Sequence, residues 1–479
     1  MSKYYLIILA NLITIGLFGQ FNQEKNGIVS SIDAKQEDYF SVAMQIWNFA
    51  EVGYQEEKSS ALLQSELSKK GFKLEKGVAE IPTAFIASYG SGKPVIAILG
   101  EFDALPGVSQ TASPVREKRE DITSGHACGH HLFGAGSMAA AIEVKEWMQA
   151  NKIQGTLRFY GTPAEEGGAG KVYMVRSGLF DDVDAVLHWH AGSRNSASAR
   201  SSLSNKSAKF RFHGIASHAA GSPWNGRSAL DGVEAMNMMV NMMREHISPE
   251  SRIHYVITSG GEAPNVVPEF AEVFYYCRHP EMKMVKQNFE WLVEIAEAAA
   301  KGTKTKMEYE VIHGLYNVLP NETLARVMYE NLSTLGGITY TKEETIYANK
   351  IIESFEFADN VSLNLAKNVA PFKVVRRGAG GSTDVGDVSW AVPTAGLVTA
   401  TWVPGTSAHS WQAVAAGGTS IGKKGMILAA KSIALSAVDL FKDPSIMTKA
   451  KTELDQLKGK DFKYESLLGD REPPLDYRK

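Results

Sequence analysis

The chain of 479 residues contains only two cysteines, Cys128 and Cys277. At most one disulfide can form, and a chain this long buries enough surface to fold without one. It also lacks an excess of either charge. Lys and Arg number 50 against 53 Asp and Glu, a formal net charge of −3. Nucleic-acid binding usually needs a basic domain or stripe, so no nucleic-acid partner is expected. A hydrophobic fraction of 44% with 22% charged residues excludes a disordered tail or a collagen-like rod. Beyond the first residues no apolar run reaches the about 20 positions that a spanning helix requires.

The single long apolar run lies at the start. Lys3 precedes Tyr4 to Phe18, and polar residues follow from Gln20. We read residues 1–20 as a signal peptide, which makes the protein secreted or periplasmic, with no stable membrane insertion once the signal is removed. The large side chains of Leu17 and Phe18 fit a small-residue cleavage rule poorly, and the alternative is an uncleaved N-terminal anchor.

Helical periodicity runs over Asp33 to Lys70. Val95 to Leu99 is a continuous apolar run and predicts a buried parallel strand. Further strands are predicted over Thr156 to Tyr160 and Asp184 to His190, with a small-residue helix over Gly136 to Lys152 and a short helix over Lys171 to Ser177. Strands alternating with helices indicate an α/β domain with a mainly parallel sheet. The composition then shifts to Ser, Ala and Asn near Ser196 to Ser207. Alternating strands and two long helices follow, as in a small α+β module, before α/β character resumes near Gly314. The expected organisation is a domain of residues 36–200 and 315–445, an insertion of residues 201–314 and a polar surface extension of residues 446–479.

The 12 histidines are unevenly placed, and five fall in two short windows. One window is His126-Ala127-Cys128-Gly129-His130-His131, just before the small-residue helix. In an extended loop Cys128 and His130 point the same way, and a thiolate beside an imidazole suits a transition metal. The other is His188-Trp189-His190, near the end of a strand. Glu165-Glu166-Gly167-Gly168 also follows a strand, and there one carboxylate can bind metal while its neighbour moves a proton. His409 and the stretch Glu101-Phe102-Asp103 complete a rim of candidate donors at the strand ends.

These windows, together with Leu132-Phe133-Gly134 and Gly380-Gly381-Ser382-Thr383-Asp384-Val385-Gly386-Asp387, resemble the aminoacylase/carboxypeptidase family of co-catalytic metallopeptidases. The fit is best to its amidohydrolase branch, which includes hydrolases of N-acyl and indole-acetyl amino acids. The resemblance implies an α/β, parallel-sheet catalytic domain that binds two divalent metal ions, zinc or manganese, and an inserted dimerisation domain. It makes Cys128, His130, Glu166, His190 and His409 the metal ligands, with Cys128 bridging, and Glu165 the general base. Asp103 and Asp384 would orient those ligands; His131 stands where many relatives carry Asp or Asn, and would either add a ligand or change what surrounds the ligands. In the insertion, His218 would reach a partner subunit's site and stabilise an oxyanion, while Asn265 and Arg278 would bind the substrate carboxylate. A structural ion pair is the plainer reading of Arg278.

The expected activity is hydrolysis of an N-acyl or N-aroyl amino acid, for instance a p-aminobenzoyl amino acid, by a homodimer or a hetero-oligomer. The rival readings are a dipeptidase or carboxypeptidase of the same family, a cysteine hydrolase using Cys128 and His130, and a non-catalytic metal binder.

Overall fold

A computed structural model describes residues 23–357, 361–378 and 380–478. The segment read as a signal peptide lies outside them, and no helix among the described residues is long and apolar enough to cross a membrane. The strands in chain order are β1 Lys73–Lys76, β2 Phe85–Ser91, β3 Val95–Gly100, β4 Gly155–Gly161, β5 Ala185–Gly192, β6 Ala199–Arg200, β7 Ser204–His213, β8 Arg252–Ser259, β9 Phe270–His279, β10 Lys306–Leu315, β11 Val374–Val375 and β12 Thr394–Ala400.

Six of them form one sheet in the order β1-β2-β4-β3-β5-β12. The strands β4, β3, β5 and β12 run parallel, and β1 and β2 are added antiparallel at one edge. The all-apolar run of β3 is buried throughout, because helices cover a parallel sheet. Helices His130–Asn151 and Ser420–Lys442 pack side by side against these strands. The first starts six positions earlier than periodicity predicted, and Gly, Ala and Ser on its surface let it lie close to the sheet. The single periodic stretch of Asp33 to Lys70 is two helices, Gln36–Phe49 and Glu57–Lys69, separated where Ala50 turns to φ 43°.

Residues 204–315 build a second, antiparallel sheet in the order β10-β7-β9-β8. Helices Ala229–Met243 and Met282–Thr303 cover it, around an apolar core of its own that includes Phe210, Val233, Met236 and Leu292. Met236 and Met243 are buried in that core, whereas Met238 and Met242 face outward. The extension after residue 445 is not a plain surface tail. It begins with helix Ser445–Lys458 and continues as an irregular segment tied to the neighbourhoods of both sheets.

Candidate metal centre

The carboxyl ends of the four parallel strands line one edge, the position where α/β sheets gather ligands. β3 leads directly into Glu101 and Asp103, and β4 into the loop carrying Glu165 and Glu166. His190 lies within β5, and His409 follows β12. Cys128 and His130 arrive differently, at the start of helix His130–Asn151. Between them Gly129 adopts φ 76°, and a Cβ there would lie 2.4 Å from that of Ala191. Conformation and space both demand glycine. A left-handed turn, rather than an extended loop, therefore brings the thiol and the imidazole together. His409 itself sits at φ 61°, and its N–H donates to the Ala127 carbonyl at 2.9 Å. That bond ties the last donor loop to the Cys128 loop. A strained non-glycine residue of this kind costs of order 1–3 kcal/mol and persists where its surroundings fix it.

Two donor sets converge. The ligand atoms of Cys128, His130 and His190 lie within 4.8 Å of one another, and so do those of Cys128, Glu166 and His409. Cys128 belongs to both. A third set, Glu101, His130 and Glu165, adjoins them. The Cys128 Sγ is 3.4 Å from His190 Nε2, and His409 Nε2 is 3.2 Å from Glu166 Oε1. His130 Nε2, Glu101 Oε2 and Glu166 Oε1 are buried without a well-aligned hydrogen-bond partner. Each such group costs about 1–3 kcal/mol unless something else takes it up. Mixed S, N and O donors around these orphaned atoms fit a pair of divalent cations.

Asp103 organises both sets. Its Oδ1 lies 2.9 Å from His130 Nδ1, and its Oδ2 accepts the Glu166 N–H at 2.8 Å. The carboxylate thus orients an imidazole, as ligating histidines usually require, and fixes the Glu166 backbone. Asp384 does not touch a ligand histidine. It accepts from the backbone N–H and from Nζ of buried Lys171, whose Nζ also lies 2.7 Å from Glu101. Glu101 was placed on the rim by sequence but given no role of its own, and Lys171 escaped the sequence reading. The available signal was a lysine at the start of the short helix Gly170–Arg176, followed by the run Val172-Tyr173-Met174-Val175.

Burial opposes charge on His130, but the carboxylates of Asp103 and Glu101 act against it, and the imidazole is held well above its usual range. Burial pushes the Cys128 thiol up, and Glu166 adds to that against the pull of His130. Burial, then Glu166, Glu101 and Asp384, hold the Glu165 carboxyl well above the ordinary carboxylate range. At neutral pH, therefore, a thiol and an imidazolium must lose protons before they can ligate. Metal binding should release protons from both, and affinity should fall on acidification by about tenfold per pH unit for each proton released. Calorimetry of zinc binding in buffers of different ionisation heat measures this; a heat independent of buffer would contradict it.

Other expected residues lie elsewhere. His131 follows His130 on the helix, so its side chain points about 100° away. Its Nε2 is 3.2 Å from the Gly417 carbonyl and its ring packs on His126, so it does not orient a ligand. His218 and Asn265 are exposed on neighbouring loops of the second module, where the Ala219 N–H donates to the Asn265 carbonyl. Arg278 does approach the centre: it lines a cavity of about 320 Å³ with Glu165, Glu166 and His409. It has no ion-pair partner among the described residues, and its Nε is buried and unpartnered. No ion pair among the described residues supports the structural reading of Arg278. Cys128 and Cys277 are both free.

A family model described as peptidase family M20/M25/M40 matches residues 97–413. The chain is 42% identical to a subunit of the p-aminobenzoyl-glutamate hydrolase of Escherichia coli (strain K12), over 90% of this chain and 94% of that protein. It is 28% identical to the Xaa-Arg dipeptidase of Mus musculus, over 90% of this chain and 91% of that protein. Among solved structures it superposes on a dinuclear metal-binding peptidase of Bacillus subtilis with a TM-score of 0.58 and 17% identity, covering 86% of this chain and 99% of that one. The match extends through both segments that carry the donor residues, and the chain belongs to peptidase family M20/M25/M40.

Proposed function

We propose that this protein is a metal-dependent amidohydrolase that cleaves the amide bond of an N-acyl or N-aroyl amino acid, p-aminobenzoyl-glutamate among them. One observation carries the reading: two donor sets share Cys128, and Glu165 stands beside them on the wall of an open cavity. Cys128, His130, His190, Glu166 and His409 would hold two zinc or manganese ions, which when bound polarise the scissile carbonyl and acidify water. Glu165 accepts the proton of the attacking water and delivers it to the leaving amine. Arg278 offers a fork matched to the substrate carboxylate.

His218 fits the part of oxyanion donor. Its Nδ1 accepts the N–H groups of Ala220 and Gly221, which leaves the proton on Nε2, facing outward. Exposed on its own module, it serves the site of a second copy. Exposed Trp224, Met238, Met242, Val256 and Ile257 on the same module support a dimer through that module. Sedimentation should find two copies. The Escherichia coli relative is itself one subunit of a hydrolase, which keeps a hetero-oligomer as the other assembly. Export by the signal of residues 1–20 is part of the proposal; N-terminal sequencing of the processed protein checks it.

Burial pushes the Cys128 thiol up, the opposite of what a cysteine nucleophile needs. The dipeptidase reading has the mouse relative behind it. Metal-reconstituted protein should therefore be assayed on p-aminobenzoyl-glutamate, other N-acyl amino acids and dipeptides. Turnover of acyl amino acids, abolished by a chelator and restored by zinc or manganese, is expected. Turnover of dipeptides alone would favour the second reading, and turnover of nothing would overturn both.

A further inference from the structure

The chain after helix Ser445–Lys458 returns to the catalytic loop. Tyr316 Oη donates to the Glu465 carbonyl at 2.8 Å, Arg176 to the carbonyls of Gly469 and Arg471, and Gln55 to that of Leu475 at 2.8 Å. Arg471 in turn grips β10, through the Val311 and Ile312 carbonyls and Glu310. The strap ends its course with Tyr477 Oη and Arg478 Nη2 each donating to the Glu166 carbonyl at 3.0 Å.

Arg478 thereby becomes part of the wall of the 320 Å³ cavity, together with Arg278, Glu165 and His409. Neither arginine has a carboxylate partner among the described residues. Burial pushes neighbouring His313 down to about 4, and the positive fields of Arg471, Arg478 and Arg278 act the same way. The cavity thus holds two guanidiniums without a carboxylate partner among the described residues, beside Glu165 and Glu166. A substrate with one carboxylate satisfies one guanidinium and leaves the other facing it. A substrate with two satisfies both.

We propose that Arg478 is a specificity-determining residue: with Arg278 it forms a two-arginine clamp for the two carboxylates of an N-acylated acidic amino acid, Arg478 taking the side-chain carboxylate. The proposal rests on the amidohydrolase reading above. Arg's planar fork can hold the Glu166 carbonyl with one nitrogen and present others to a carboxylate, and Tyr477 already secures that carbonyl without it.

The test compares p-aminobenzoyl-glutamate with p-aminobenzoyl-glutamine, which differ only in that side-chain charge, on the metal-reconstituted full chain. Wild type should prefer the glutamate substrate. Arg478→Gln should lower kcat/KM for it about 10–100-fold more than for the glutamine substrate, mainly through KM. Arg478→Lys should restore part of the preference. Equal losses on both substrates would reduce Arg478 to a support for the Glu166 loop and overturn the proposal; so would no loss on either, or a wild type without preference. A wild type that hydrolyses neither substrate would instead sink the amidohydrolase reading. Calorimetric binding of glutamate and glutamine then decides the clamp alone: a glutamate preference lost in Arg478→Gln upholds it, and equal binding overturns it.

Discussion

Glu165→Gln should keep both cations and lose about 10²–10⁴ in turnover. Gln has the same shape and cannot accept a proton. Glu165 belongs to neither of the donor sets that share Cys128, so its replacement leaves those ligands in place. Burial first, then the carboxylates of Glu166, Glu101 and Asp384, favour its protonated form. Two cations at the neighbouring donors favour the carboxylate again. A group balanced between these influences is suited to exchange a proton near neutral pH. Steady-state kinetics with metal analysis of the same sample gives the answer. Full activity would remove Glu165 from proton transfer. Loss of one ion together with activity would make it a ligand, as its position beside Glu101 and His130 permits.

Cys128→Ala should take the protein from two ions to at most one and lower kcat/KM by about 10³ or more. Each donor set would retain only two protein ligands, His130 with His190 and Glu166 with His409. Metal ions contribute several kcal/mol of charge stabilisation, and about 4 kcal/mol corresponds to that factor. The fold should tolerate the change. Alanine is smaller than cysteine, and the turn beside it depends on Gly129 and the Ala127–His409 bond, neither of which uses the sulfur. An unchanged melting profile beside the lost metal would separate the site's failure from the fold's. Were Cys128 a nucleophile, the variant would lose activity and keep its metal. A variant with two ions and substantial activity would contradict the shared-ligand account.

The parallel sheet was legible because its strands are unusually plain. Val95 to Leu99 has no polar residue to disguise it, and Gly, Ala and Ser fill much of the buried surface of the helix that begins in the histidine window. The candidate donor cluster was legible for a related reason: Asp103, Glu165, Glu166 and His409 follow strand ends, where chemistry in α/β folds collects, and Cys and His are residue types that surfaces rarely cluster. What escaped was held by interactions without side-chain periodicity. The edge strand β1 is Lys-Leu-Glu-Lys, mostly exposed, and pairs through its backbone. Lys171 looks like a helix surface residue until burial against Glu101 and Asp384 gives it a role. His131 looked like a ligand or a neighbour of the ligands because it adjoins His130 in sequence; the helical turn separates them in space. Residues 459–478 read as solvated tail because arginines and tyrosines that bond carbonyl oxygens leave no pattern in the sequence. Sequence also could not reveal that the Cys128–His130 approach depends on a left-handed glycine.

The central claim is that Cys128 serves two cations at once. Anomalous scattering from crystals grown with zinc or manganese tests it most directly. The expected map has two peaks about 3.5–4 Å apart, as in two-metal sites generally, with the Cys128 sulfur between them, His130 and His190 toward one, Glu166 and His409 toward the other. A single peak, or a pair that leaves the sulfur uncoordinated, would contradict the account.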